Sequence, residues 1–231
     1  AQVSLASARS LRDGEWLTED IITFMIKKVI QPASTRTGFL SSHFLTRLLE
    51  TSQRYDYAQV RRWGNSLPGG IRGINELFIP INQNNMHWLF ARVDMRQKRI
   101  ELYDSNGLNR DSQRYMKTIL RYVYDELWYE PLDSGPGFRD TGPGFAVWSA
   151  AWTLKDNTVT TLPQGNTNDC GIFTLVSMAL LVQGVRLTRD TYTQSMIENR
   201  GIRLRFAHHI WKARLCNEQG TARLDRWAVH T

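Results

Sequence analysis

The sequence predicts an α+β fold: a meander of short strands set between helices. Three observations carry this. Near the middle of the chain, three apolar runs are separated by turn residues alone, at Leu77–Ile81, His87–Val93 and Arg99–Asp104. Such short links suit antiparallel pairing and leave no room for crossover helices. Before them, Ile21, Ile22, Met25, Ile26, Val29 and Ile30 repeat at helical spacing. After them, a long apolar run from Ile172 to Leu181 reads as a helix buried on all sides.

Each element has its own warrant. Residues 1–12 are small and polar and are expected to form an N-terminal arm, with a single domain over 13–231. Asp13-Gly14 is a turn signal. Thr18 is a candidate N-cap, with Glu19 and Asp20 in the first turn, where the helix dipole favours acids. Pro32 ends that helix. Phe44, Leu45, Leu48 and Leu49 predict a second helix over 41–57, and 65–73 is a Gly/Pro loop. Asn82–Asn85 forms a polar hairpin loop and 95–98 a second turn. Tyr115, Ile119, Leu120, Val123 and Leu127 make the inward side of a helix over 109–128. Residues 131–144, with two Gly-Pro-Gly steps, read as a surface loop. Two more strands are expected at 146–152 and 158–161. Gly184 closes the buried helix, and 191–197 and 202–215 are C-terminal helices.

The totals exclude several classes. The chain has 231 residues, 42% hydrophobic and 22% charged, enough for one sizeable core. Its two cysteines, Cys170 and Cys216, build neither a disulfide framework nor a metal quartet. No metal or other cofactor is expected. A reducing compartment is the default. No apolar run approaches the ~20 residues of a membrane span. The net charge of +7 comes from 29 basic and 22 acidic residues. The densest basic cluster, 200–214, reads as the solvated face of an amphipathic helix. Nucleic acid is therefore the weakest partner class, since no aromatic–basic stacking platform appears.

The chemistry concentrates at Pro163-Gln164-Gly165-Asn166-Thr167-Asn168-Asp169-Cys170-Gly171. Cys170 opens the buried helix. Unpaired N–H groups and the dipole there favour a thiolate. Gln164, six residues upstream, carries an amide donor for an oxyanion. The bland alternative is a small buried core cysteine. A base and an orienting acid decide between the two. His87 begins one strand and Asp104 ends the next, and antiparallel neighbours bring such ends to one rim. Cys170 would attack, His87 act as base and then acid, and Asp104 orient the imidazole. Against this, Asp104-Ser105-Asn106-Gly107 is also a good turn.

His87-Trp88, Leu102-Tyr103-Asp104-Ser105 and Pro163-Gln164 followed by Cys170-Gly171, in that order, resemble the ubiquitin-like-protein proteases, the SUMO-protease family of cysteine peptidases. Phe78-Ile79-Pro80-Ile81-Asn82 and Trp16-Leu17 with Ile21-Ile22 support the resemblance, which covers about residues 14–215. It implies a papain-like fold, a central mixed or antiparallel sheet flanked by helices, in the rearranged order His, Asp, Cys. It implies cleavage after the C-terminal Gly-Gly of a modifier, with SUMO first and ubiquitin or a Nedd-type protein as alternatives. Trp16 and Trp88 would cover a channel that only glycine passes, and Glu19 would pair with a basic residue of the modifier. An intracellular site, nucleus or cytoplasm, follows, or host cytoplasm for a secreted effector. Competing readings are an acetyltransferase with the same His–acid–Cys arrangement and a binding module with a dead site.

Overall fold

The computed structural model describes residues 3–49, 54–107, 109–133, 137–157, 163–188, 194–195 and 201–215. In chain order the elements are α1 (Leu5–Arg9), α2 (Glu19–Met25), β1 (Thr37–Phe39), α3 (Phe44–Leu48), α4 (Gly70–Gly73), β2 (Glu76–Gln83), β3 (His87–Asp94) and β4 (Arg99–Tyr103). Then come α5 (Ser112–Trp128), β5 (Tyr129–Pro131), β6 (Phe138–Asp140), α6 (Phe145–Ser149), β7 (Thr153–Asp156), α7 (Cys170–Val182) and α8 (Ile202–Leu215). Helix α2 continues as a π turn over Ile26–Ile30 and a 3-10 turn over Gln31–Ala33.

Five strands form one mixed sheet in the order β1-β2-β3-β4-β7. The three central strands pair antiparallel, as their short turns require, and β1 and β7 add parallel at the edges. Strand periodicity divides the side chains between two cores. Leu77, Ile79, Ile81, Leu89, Ala91, Val93, Ile100 and Leu102 face α3 and α5, where Phe44, Leu48, Met116, Ile119 and Val123 meet them. Phe78, Trp88, Phe90 and Tyr103 face the other way, onto α2, α7 and α8. On that side the Phe90 and Tyr103 rings stack 4.8 Å apart. Both faces of the sheet are thus covered. Helix α7 lies inside the second layer, so every residue from Cys170 to Leu181 is buried.

Several expectations are corrected. Within the N-terminal arm, residues 3–9 fold against α2: Ser4 caps α1 by accepting from Ser7 N at 2.9 Å, Val3 is buried, and Ser7 Oγ donates to Asp20 in α2. The helix expected over 41–57 is only Phe44–Leu48. Phe44, Leu45, Leu48 and Leu49 are buried as expected, but burial fixes one turn and carries no information on how far the helix runs. Residues 146–152 hold helix α6 rather than a strand. Phe145 and Trp148, three apart, both pack edge-on against Tyr124. The strand follows instead, as β7, and pairs with β4. The strand expected over 158–161 lies outside the described residues, as does most of the helix expected over 191–197. Within 131–144, Phe138–Asp140 pairs with Tyr129–Pro131 rather than looping. Strand β1, only three residues long, had no recognisable pattern.

Candidate active site

The base side of the site is built by two local turns. Asn84 and Asn85 take left-handed conformations (φ 55° and 57°), which asparagine tolerates, and they return the chain so that His87 pairs with Gln83. Asp104 follows β4 directly and is buried. His87 Nε2 lies 2.6 Å from Asp104 Oδ1, so the carboxylate takes one nitrogen of the imidazole. The backbone N–H of Asn106 donates to the same oxygen at 2.8 Å, and Asn109 Nδ2 donates to Oδ2 at 2.9 Å. Asn109 Nδ2 also donates to Gln83 Oε1 at 3.1 Å, and Gln83 Nε2 donates to Asp111 at 3.0 Å. The turn at Asp104-Ser105-Asn106 and the contact of Asp104 with His87 are therefore compatible: the turn bond helps to hold the carboxylate.

The thiol side is a loop tied at nearly every residue. Cys170 is 1% exposed at the first position of α7, next to the N-cap Asp169. Gly171 lets the helix approach Leu17, because a Cβ there would stand only 3.0 Å from Leu17 Cβ. Gln164 N donates to Ser105 O at 2.8 Å, and Ser105 Oγ donates to Gln164 Oε1 at 2.7 Å. This fixes which end of the amide is the donor, and Gln164 Nε2 donates to Asn166 O at 2.7 Å. Gly165 N donates to Gln194 Oε1 at 2.9 Å, and Asn166 Nδ2 to Asp169 Oδ2 at 2.8 Å.

The two sides meet at the imidazole. Burial works against the charged ring and is the largest influence on it. Hydrogen bonds to Asp104 and then to Cys170, with their charges, outweigh burial and raise the His87 pKa from 6.5 to about 9. Nε2 is committed to Asp104, which leaves Nδ1 for the sulfur. Cys170, His87 and Asp104 are thus brought together.

The remaining sequence candidates fall in different places. Trp16 is 45% exposed, and its Nε1 donates to Thr167 O at 2.9 Å, so its indole stands against the thiol loop. Trp88 is 4% exposed, and its Nε1 donates to Leu17 O at 2.8 Å. It supports the Trp16 segment from within the core rather than standing at the surface. Glu19 Oε1 accepts from Ser42 Oγ at 2.7 Å and pairs with His43 Nε2 at 2.8 Å, so this oxygen is engaged inside the chain. Sequence reasoning missed Ser105, Asn109, Gln83, Asp169, Gln194 and Arg203. Ser105 and Asp169 stand beside singled-out residues; the others carry no local signal. Among the described residues, no group of three or more His, Cys, Asp or Glu is arranged to hold a metal ion. No helix among them is long and apolar enough to cross a membrane.

Comparison with known proteins gives the family. Residues 15–210 match the Ulp1 protease family, C-terminal catalytic domain. Ubiquitin-like-specific protease 1 of Saccharomyces cerevisiae is 31% identical over 127 residues, 54% of this chain and 20% of that protein. A sentrin-specific protease of Caenorhabditis elegans is 26% identical over 174 residues, 74% of this chain and 22% of that protein. The chain therefore spans about a fifth of the length of these relatives. Among solved structures, the Ulp1 protease domain in complex with Smt3, the yeast ortholog of SUMO, superposes with a TM-score of 0.70 at 24% identity, covering 92% of this chain and 84% of that one. The SUMO protease Ulp1 with its catalytic cysteine oxidised to a sulfonic acid gives 0.70 at 25% identity, covering 92% and 85%. A match that runs through both strand ends and the thiol loop, over most of the sequence, decides the membership: this chain belongs to the Ulp1 protease family.

Proposed function

We propose that this chain is a thiol peptidase that cleaves after the C-terminal Gly-Gly of a ubiquitin-like modifier, with SUMO as the first substrate. The observation that carries the reading is the His87 imidazole held between Asp104 and Cys170. A ring with a pKa of about 9 is protonated at neutral pH, and an imidazolium beside sulfur is the setting in which cysteine acts as a nucleophile. Cys170 Sγ attacks the carbonyl carbon of the terminal glycine. The oxygen takes the negative charge and is stabilised by the second N–H of Gln164 and the backbone N–H groups at the start of α7. His87 then gives its proton to the leaving amine, and a thioester remains. Water, deprotonated by His87, attacks that thioester and releases the modifier's carboxylate and the thiol.

The substrate reading rests on the confinement of the sulfur. A thiol exposed by only 1% admits a backbone without side chains more readily than any other. Trp16 forms the outer wall of that approach, and Trp88 sets its position through Leu17. The related proteins are named as ubiquitin-like-specific and SUMO proteases, which favours SUMO over ubiquitin. Precursor processing and deconjugation use the same step. For Glu19 to reach a basic residue on the modifier, its contacts with Ser42 and His43 must be exchanged or shared. A catalytic thiol favours a reducing compartment of the cell, nucleus or cytoplasm.

The test is a panel of SUMO, ubiquitin and a Nedd-type protein, each carrying a thiol-trapping electrophile after Gly-Gly. An adduct with SUMO, placed at Cys170 by mass and absent from Cys170→Ala, is the expected result. A folded protein that forms no adduct with any modifier overturns the assignment, and acetylation of Cys170 by acetyl-CoA would replace it.

A further inference from the structure

We propose that Arg203, on α8, is a positioning residue for the thiol, holding the loop before Cys170 and the segment before Trp16 in one arrangement. The inference rests on the peptidase reading only for its consequence in turnover, because the geometry stands by itself. Arg203 is 9% exposed, although it falls in a basic stretch whose pattern suggests a solvated face. Its fork spans two separate pieces of chain. Nη1 donates to Ser10 O and Arg12 O, both at 3.0 Å. Nη2 donates to Glu15 O at 2.8 Å and to Asp169 Oδ1 at 2.6 Å, with Asn168 O at 3.5 Å.

The acceptors decide the role. Glu15 precedes Trp16, and Asp169 precedes Cys170. One guanidinium therefore sets the spacing between the aromatic wall and the nucleophile. Only a planar, multiply donating cation reaches all these acceptors at once, which lysine does not do. The second oxygen of Asp169 accepts from Asn166 Nδ2 at 2.8 Å and Gln194 Nε2 at 2.9 Å. The carboxylate is thereby fully engaged, and its charge beside the thiol is balanced by Arg203. The other charged groups at the sulfur are His87 and Asp104 from the sheet rim.

Removing the guanidinium leaves the buried Asp169 carboxylate unpaired, one residue from the sulfur. It also frees the Glu15 and Asn168 carbonyls to shift. Two consequences follow in Arg203→Met. The thiol loses its placement against His87, and the unbalanced negative charge disfavours its anion.

The experiment measures alkylation of Cys170 by iodoacetamide across pH, with the site read by peptide mass, so no modifier is needed. In folded Arg203→Met the rate at pH 7 is expected to fall by about tenfold for each pH unit by which the midpoint rises, since the thiolate is the reacting form. Its midpoint is expected to move to higher pH. The Arg203→Met/Asp169→Asn double variant recovers the midpoint, because no unpaired carboxylate remains. Arg203→Lys keeps the midpoint and loses rate, and it serves if Arg203→Met does not fold. Wild-type rate and midpoint in a folded Arg203 variant overturn the proposal, as does a loss that only tracks the unfolded fraction. If wild type traps no modifier yet Arg203→Met still slows alkylation, the peptidase reading falls and this proposal stands.

Discussion

The two halves of the site are assembled in opposite ways. The base half is local: His87 opens β3 and Asp104, 17 residues on, directly follows the neighbouring strand β4. Its supports come from nearby: Gln83 ends β2, and Asn106 and Asn109 follow β4. The thiol half is assembled over long distances. Trp16 reaches Thr167 across 151 positions, and Arg203 reaches Ser10 across 193. The difference teaches where each half is vulnerable. Hairpin and turn chemistry fixes His87, whereas contacts from α8 and the N-terminal segment hold the loop that ends at Cys170.

The largest expected effect tests the local half. In Asp104→Asn the hydrogen-bonding shape is retained and the negative charge is lost. His87 then loses a principal support of its raised pKa, and the imidazolium is less stabilised. We expect kcat on a modifier substrate to fall by roughly 100- to 1,000-fold, within the range general acid–base groups supply. The alkaline limit of activity should move to lower pH. An unchanged pH profile would show that Asp104 does not govern the ring.

The same contrast explains what the sequence showed. Strand periodicity and turn residues made β2, β3 and β4 legible, and with them His87 and Asp104 as strand ends. The apolar run after Cys170 made α7 legible, because a helix buried on all sides leaves a continuous hydrophobic signature. Arg203 was hidden, since its acceptors are mostly backbone carbonyls of a distant segment and carbonyls have no sequence identity. Within the same helix, Ile202, Phe206 and Ile210 are buried while Leu204 is 76% exposed, so residue type alone did not reveal the facing. The apolar run Ala146–Trp152 was ambiguous between strand and helix for its length. What decided it was contact with Tyr124 on α5, which lies elsewhere in the sequence.

A second, smaller effect links the base half to stability. The folded His87 pKa of about 9 lies above the unfolded value near 6.5. A raised pKa adds stability that is fully present below 6.5 and is lost as pH rises through 9. Its size is at most roughly 3.4 kcal/mol, at about 1.4 kcal/mol per pH unit. The melting temperature of wild type, measured against that of His87→Gln, should therefore lose advantage between pH 6.5 and 9 and be level beyond it. A constant difference across that window would mean that the pair does not hold a proton in the folded state.

The smallest effect lies where the halves join. Ser105 follows the base-side acid, yet its hydroxyl and carbonyl both bond to Gln164 of the thiol loop, at 2.7 and 2.8 Å. The hydroxyl bond fixes the amide oxygen, so the opposite end of the amide must be the donor. Ser105→Ala keeps the backbone bond and the bond from Gln164 Nε2 to Asn166 O, and removes one of the two contacts that orient the amide. The amide can then turn its oxygen toward the developing oxyanion, which wastes the donor in part of the population. The loss should be about 1 kcal/mol, the net worth of one hydrogen bond, or roughly fivefold in kcat with KM little changed. The rate of Cys170 alkylation by iodoacetamide should stay at the wild-type level, because that reaction forms no oxyanion. If alkylation slows as much as turnover, Ser105 acts on the placement of the sulfur, and the two halves of the site are coupled more tightly than one amide bond allows.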